Sequence, residues 1–116
     1  MSQPSSEQHF NGLTPEEAEL LALLSEECGE VVQIIGKIQR HGLASYHPAH
    51  PNGPNNRQML NKELGDVAAA VALLNERFVV SNWMIQQARN EKLRALPKYL
   101  HHATVPAEFT QEVIEL

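Results

Sequence analysis

Two short acidic clusters, Glu26-Glu27-Cys28-Gly29-Glu30 and Glu63-Leu64-Gly65-Asp66, carry the residues best suited to chemistry. Each holds carboxylates three residues apart, Glu27 with Glu30 and Glu63 with Asp66. On a helix that spacing puts both on one face, a turn apart. Projected at about 100° per residue, Leu20, Leu23, Leu24, Val31, Ile34, Ile35 and Ile38 form one apolar sector. Glu27 falls near the middle of that sector and Glu30 at its edge, while Glu26 lies further round, close to Lys37. The second cluster repeats the pattern. Leu60, Leu64, Val67, Val71, Leu74 and Phe78 make a stripe, with Glu63 inside its margin and Asp66 flanking it. An ionised carboxylate on a core face is costly unless it is paired or binds a metal. Four such groups converging between two antiparallel helices would form an all-oxygen pocket, which suits Mg²⁺ or Mn²⁺ better than zinc. The plainer alternative pairs Glu27 and Glu63 with Lys37, Lys62 or Arg40 in ordinary salt bridges. The doubled spacing on two stripes favours the metal pocket.

The elements that must position these acids are marked by their ends. Thr14-Pro15-Glu16-Glu17 has the form of a capping box with proline at the first helical position. It predicts a helix running to about His41, with Gly42 as its stop. Gly29 and Gly36 lie inside that helix, each costing about 1 kcal/mol relative to alanine, and would suit close approach by a neighbouring helix or a ligand. The segment 42–56 holds Pro48, Pro51, Gly53 and Pro54 and can be neither a helix nor a central strand. Its length marks it as a binding loop more than a connector. Asn55 or Asn56 can cap a second helix reaching about Phe78. A third opens near Ser81 or Asn82 and runs through WMIQQARNEKLRAL until Pro97 breaks it before KYLHH. With almost no β-alternation, the fold class is all-α. The expected organisation is a flexible stretch over 1–12, one helical domain over 13–102, and a tail over 103–116 whose EFTQEVIEL adds a helical turn or two. Stripes as broad as VAAAVALL exceed what two long helices and a shorter one can bury alone. They predict an antiparallel helical bundle completed by a homodimer, or a dimer of dimers, with active sites at or near the subunit interface.

Composition narrows the partners. The 116 residues suffice for one domain, and Lys plus Arg 9 against Asp plus Glu 14 gives a net charge of −5. Bulk charge therefore disfavours DNA or RNA as a partner, whereas a small anion remains open if a metal neutralises it. The single cysteine, Cys28, allows no internal disulfide and no cysteine-based zinc site. It projects away from Glu27 and reads as a small core residue. No run of eighteen apolar residues suggests a membrane span. MSQPSSEQHFNG lacks the apolar centre of a secretory signal, so a cytoplasmic location is expected.

The acidic clusters resemble the EExxE…ExxD signature of the MazG-like all-α NTP pyrophosphohydrolases. The likeness extends through LLSEECGEVVQIIGKIQRHGLASYHP and NRQMLNKELGDVAAAVALL to a lysine-bearing helix ending in KYLHH, about residues 18–102. It is nearest to the short phage and bacterial members, although the proline-rich loop makes the gap between Glu30 and Glu63 longer than usual. The resemblance implies hydrolysis of a nucleoside triphosphate to the monophosphate and pyrophosphate, with Mg²⁺ held by Glu27, Glu30, Glu63 and Asp66. Glu26 would then orient or deprotonate the attacking water, with Glu27 sharing the catalytic work. Lys92 matches the family's lysine on the third helix, but the asparagine that often follows it is replaced by Leu96-Pro97.

Lys37, within two turns of Glu30, is a second candidate for the substrate's phosphates. In the loop, Tyr46 could stack on a nucleobase and His47 could contact base or phosphate as part of a lid. His47 and His50 lack a third ligand for zinc. There is no Ser-His-Asp arrangement, GxxxxGK loop or HEXXH, so hydrolysis would rest on metal. Two other readings stay open. One keeps the fold and changes the substrate, for instance to a phosphoribosyl-nucleotide or another phosphoanhydride. The other is a non-catalytic helical oligomerisation or regulatory module whose acids are structural.

Overall fold

Thr14 starts the first helix as its sequence requires. The threonine hydroxyl accepts the Glu17 amide at 3.1 Å, and Glu17 reaches back to accept the Thr14 amide at 2.9 Å. In the computed structural model, which describes residues 10–110, helix α1 then spans Pro15–His41. Gly42 ends it at φ 88°, a conformation open to glycine without strain, and donates its amide to Ile38 at 2.7 Å. A second capping box, Asn55 with Gln58, opens α2 over Asn56–Glu76. Ser81 caps α3, Asn82–Ala95, which passes into a 3-10 turn at Leu96–Lys98 where Pro97 falls. A short helix α4, Ala107–Thr110, follows. The chain is thus all-α, and among the described residues the only β-type pairing is an isolated antiparallel bridge between Tyr46 and Asn55. Most of the expected mobile N-terminal stretch and the last turns of the expected tail helix fall at 1–9 and 111–116, outside the described residues.

The chain divides into two compact units between Val79 and Val80. In the first, α1 and α2 pack as an antiparallel pair. Glu16 at the start of α1 forms an ion pair with Arg77 at the end of α2, and at the other end Arg57 donates its amide to Leu43 at 3.0 Å. Between them the fully buried apolar side chains are Ile34, Ala70 and Leu74. Small Ala70 lets the helices approach, and Leu74 fills the seam. In the second unit, the Arg89 guanidinium lies 5.8 Å from the centre of the Phe109 ring, within cation–π range, and ties α4 to α3.

Three expectations need correction. The second helix stops at Glu76, and Phe78 does not continue its stripe. Phe78 sits at φ 60° with 94% of its surface exposed, because the chain leaves the helix in a turn closed by the Phe78 amide on Asn75 and the Val79 amide on Leu74. Cys28 is exposed and not in the core, since it points off the α1 face that meets α2. Nothing approaches Gly29 within 4 Å of where a Cβ would stand, so that glycine serves no close contact within this chain. The apolar stripes are also wider than their partner. Val32 is 69%, Leu64 49% and Leu73 47% exposed.

Candidate metal centre

The antiparallel pairing of α1 and α2 brings the two acidic clusters face to face. Glu27 and Glu30 on α1 and Glu63 and Asp66 on α2 each present one carboxylate oxygen, and all four lie within 4.8 Å of one another. Glu63 is buried, and the other three are half-buried. With the carboxylates ionised, Oε2 of Glu27 and Oε2 of Glu63 are buried and no donor reaches them. A buried anionic oxygen without a donor is costly, and here two of them point into the same group of acids.

Part of the plainer pairing does exist. Lys62 donates from Nζ to Oδ2 of Asp66 at 2.7 Å and stands 3.8 Å from Oε1 of Glu63. The two acids in turn hold the lysine above its ordinary value, chiefly through the Asp66 hydrogen bond. That single exposed cation faces four carboxylates and leaves the Glu27 oxygen unmatched. Lys37 and Arg40, the other expected partners, make no ion pair among the described residues and turn to a different wall. The Glu63 carboxyl is held above the usual glutamate range, first by a hydrogen bond its protonated form gives to Glu30, then by burial, against the opposing pull of Lys62. Four crowded carboxylates, two with a buried oxygen that no donor reaches, make a donor set that could hold a hard cation.

One turn beyond the acids, the same helix faces open into a cavity of about 850 Å³. Ile34 follows Glu30 by four residues and Met59 precedes Glu63 by four, and both line it. Its far wall is the 42–56 loop. Three of the four expected substrate contacts meet here, namely Lys37 from α1 with Tyr46 and His47 from the loop. Arg40 joins them without having been singled out for substrate, because its helical spacing from Lys37 marks a shared face but not the cavity that the loop folds over it. The fourth, Lys92, is exposed on α3 and belongs to the second compact unit. Glu26 is exposed on α1 and is not one of the four converging acids.

An antiparallel helix pair that carries ExxE against ExxD gathers an all-carboxylate donor set that could hold a divalent cation, and the comparison with known families gives this helix pair its class. Residues 15–81, more than half of the chain, match the MazG nucleotide pyrophosphohydrolase domain. The chain belongs to that family. The matched segment contains α1, the loop, α2 and all four acids. Neither a curated protein nor a solved structure gives a significant match. No helix among the described residues is long and apolar enough to cross a membrane.

Proposed function

We propose that the chain is a metal-dependent pyrophosphohydrolase that cleaves a nucleoside or deoxynucleoside triphosphate, or a modified nucleotide, to the monophosphate and pyrophosphate. The observation that carries this reading is the convergence of Glu27, Glu30, Glu63 and Asp66 within 4.8 Å, with two buried oxygens that no donor reaches. The donor set is all carboxylate oxygen, which fits Mg²⁺, with Mn²⁺ as a competent substitute. A bound divalent ion would offset triphosphate charge and acidify water. The chain's own residues do the rest. Glu27 and Glu63 hold their carboxylates in a partly dry seam, where attraction for a cation is least screened. Glu26, beside Glu27 and open to solvent, orients the attacking water or takes its proton. Lys37 neutralises phosphate oxygens at the cavity side of the acids, and Tyr46 and His47 hold the nucleoside.

The functional unit on this reading is a homodimer or a dimer of dimers, supported by the exposed apolar side chains Val32 on α1 and Leu64 and Leu73 on α2. The net charge of −5 disfavours a nucleic acid polymer as the partner. The test is a product-resolved assay on a panel of canonical and modified nucleotides, with Mg²⁺, with Mn²⁺ and with chelator. Monophosphate and pyrophosphate that disappear on chelation and in Glu63→Gln are the expected result. Diphosphate and phosphate as products would place the cut elsewhere. Silence across the panel with a folded, Mg²⁺-binding protein would favour the same fold acting on a different phosphoanhydride, such as a phosphoribosyl-nucleotide.

A further inference from the structure

The cavity beside the acids has a one-sided chemistry. Among the described residues that line it there is no aspartate or glutamate, although the chain as a whole carries a net charge of −5. The ionisable groups on its wall are Lys37, Arg40, His41, Tyr46, His47 and His50. Arg40 donates through every polar atom it has. It makes no ion pair among the described residues, and its Nη1 lies folded back along α1, 3.4 Å from where a Cβ on Gly36 would stand. His47 has a fixed role as well. Its Nδ1 accepts the Ala49 amide at 3.1 Å, so the neutral ring carries its proton on Nε2 and that nitrogen is a donor.

Several loop carbonyls are, by contrast, already engaged. The Ser45 carbonyl accepts from the Asn56 amide, His47 from His50, and His50 from Gly53, at 2.8 to 2.9 Å. Gly42 accepts from the Asn56 side chain at 3.0 Å, and Leu43 from the Arg57 amide at 3.0 Å. The permanently charged side chains of the wall, Lys37 and Arg40, are donors only.

We infer that this cavity reads the nucleobase and selects bases with a carbonyl at purine C6 or pyrimidine C4 over bases with an amino group there. A guanidinium pairs with the O6 and N7 acceptors of an oxopurine, and a carbonyl at pyrimidine C4 likewise accepts from it. On the same edge the amino group of adenine or cytosine turns a donor toward the guanidinium, so the second of its paired N–H groups loses its acceptor while adenine N7 still accepts the first. The volume of about 850 Å³ admits a purine nucleoside as well as a pyrimidine, so polarity and not size sets the choice. Ile34 and Met59 join cavity to acids through one helical turn on each side, so a base held here leaves its phosphates to extend toward Glu30 and Glu63. This inference rests on the pyrophosphohydrolase reading for its kinetics but not for its binding.

Two substrate pairs exchange the oxo group and its neighbouring ring N–H for the amino group and a bare ring nitrogen at constant size, dITP against dATP and dUTP against dCTP, compared by kcat/KM with Mg²⁺. The oxo member of each pair is expected to lead by about ten-fold or more. Arg40→Gln should shrink that ratio while Mg²⁺ affinity by calorimetry stays unchanged. Equal rates, or a lead for dATP or dCTP, would overturn the inference. So would an Arg40→Gln that lowers all four substrates by one factor, since Arg40 would then be holding phosphate. If none of the four is hydrolysed, the pyrophosphohydrolase reading fails. A metal-free NMR titration with inosine against adenosine still decides this inference, with tighter inosine binding supporting it and equal or weaker binding overturning it.

Discussion

Glu63 is the residue on which the account turns, because it is the one carboxylate of the four that is buried, at 7% exposure. Its ordinary value is 4.5, and in the folded, metal-free chain it is raised, chiefly by the hydrogen bond with Glu30. A raised folded value means that the native state binds more protons than the unfolded state between the two values. This contribution to stability is fully present below pH 4.5 and is lost as pH rises through the folded value. Thermal melts in chelator should therefore show Glu63 weakening the fold toward neutral pH. Mg²⁺ should restore it, by about 2.7 kcal/mol at a hundred times its Kd. Glu63→Gln should remove both the pH dependence and the Mg²⁺ shift while leaving the metal-free protein as stable at neutral pH, or more so. A variant that keeps the Mg²⁺ shift would contradict the placement of Glu63. At this scale the sequence was informative, since Glu27 and Glu63 on apolar stripes at matching spacing foretold the cluster. It offered Lys62 as a partner for Glu27 or Glu63 but missed Asp66 as its closer contact, an i,i+4 pairing that is common on any helix and says nothing about which acids it would leave unmatched.

Helix α1 begins at Thr14 and α2 at Asn55, both through reciprocal side-chain caps, and these local signals were readable because capping depends only on residues three apart. Replacing either cap by alanine should cost about 1 kcal/mol in urea unfolding. A null effect of Thr14→Ala would mean that packing against α2, and not the cap, sets the start of the helix. Gly42→Ala should cost a similar amount, because φ 88° disfavours any residue with a Cβ. The end of α2 was not legible. The pattern of apolar residues carries on to Phe78, yet the backbone turns out at Arg77, where the side chain crosses to Glu16 at the far end of α1. A partner 61 positions away leaves no mark on a local pattern. The cavity was half legible for the same reason. Prolines and histidines marked 42–56 as a binding loop, but only the fold shows that Arg40 and Met59 stand opposite it.

Across the described residues, an all-α chain of the MazG nucleotide pyrophosphohydrolase family leaves Val32, Leu64 and Leu73 about half exposed or more and buries three apolar side chains, Ile34, Ala70 and Leu74. Exposed apolar surface of this kind is what a second copy would cover, so on the proposed reading sedimentation equilibrium should give a dimer or tetramer. Leu64→Lys should shift that equilibrium toward monomer and lower the melting temperature. A monodisperse monomer at micromolar concentration would contradict the oligomeric reading while leaving the metal centre intact. Stripe width alone leads to the expectation of an assembly, because periodicity shows how much surface is apolar but not what covers it. The most direct test of the central claim is calorimetric titration of Mn²⁺ and Mg²⁺ into the wild-type chain and into Glu27→Gln and Glu63→Gln, with circular dichroism to confirm that each variant stays helical. The account predicts saturable binding by the wild type that both substitutions weaken by at least ten-fold, about 1.4 kcal/mol. Binding that survives both substitutions unchanged, or no binding by a folded wild-type protein, would contradict it.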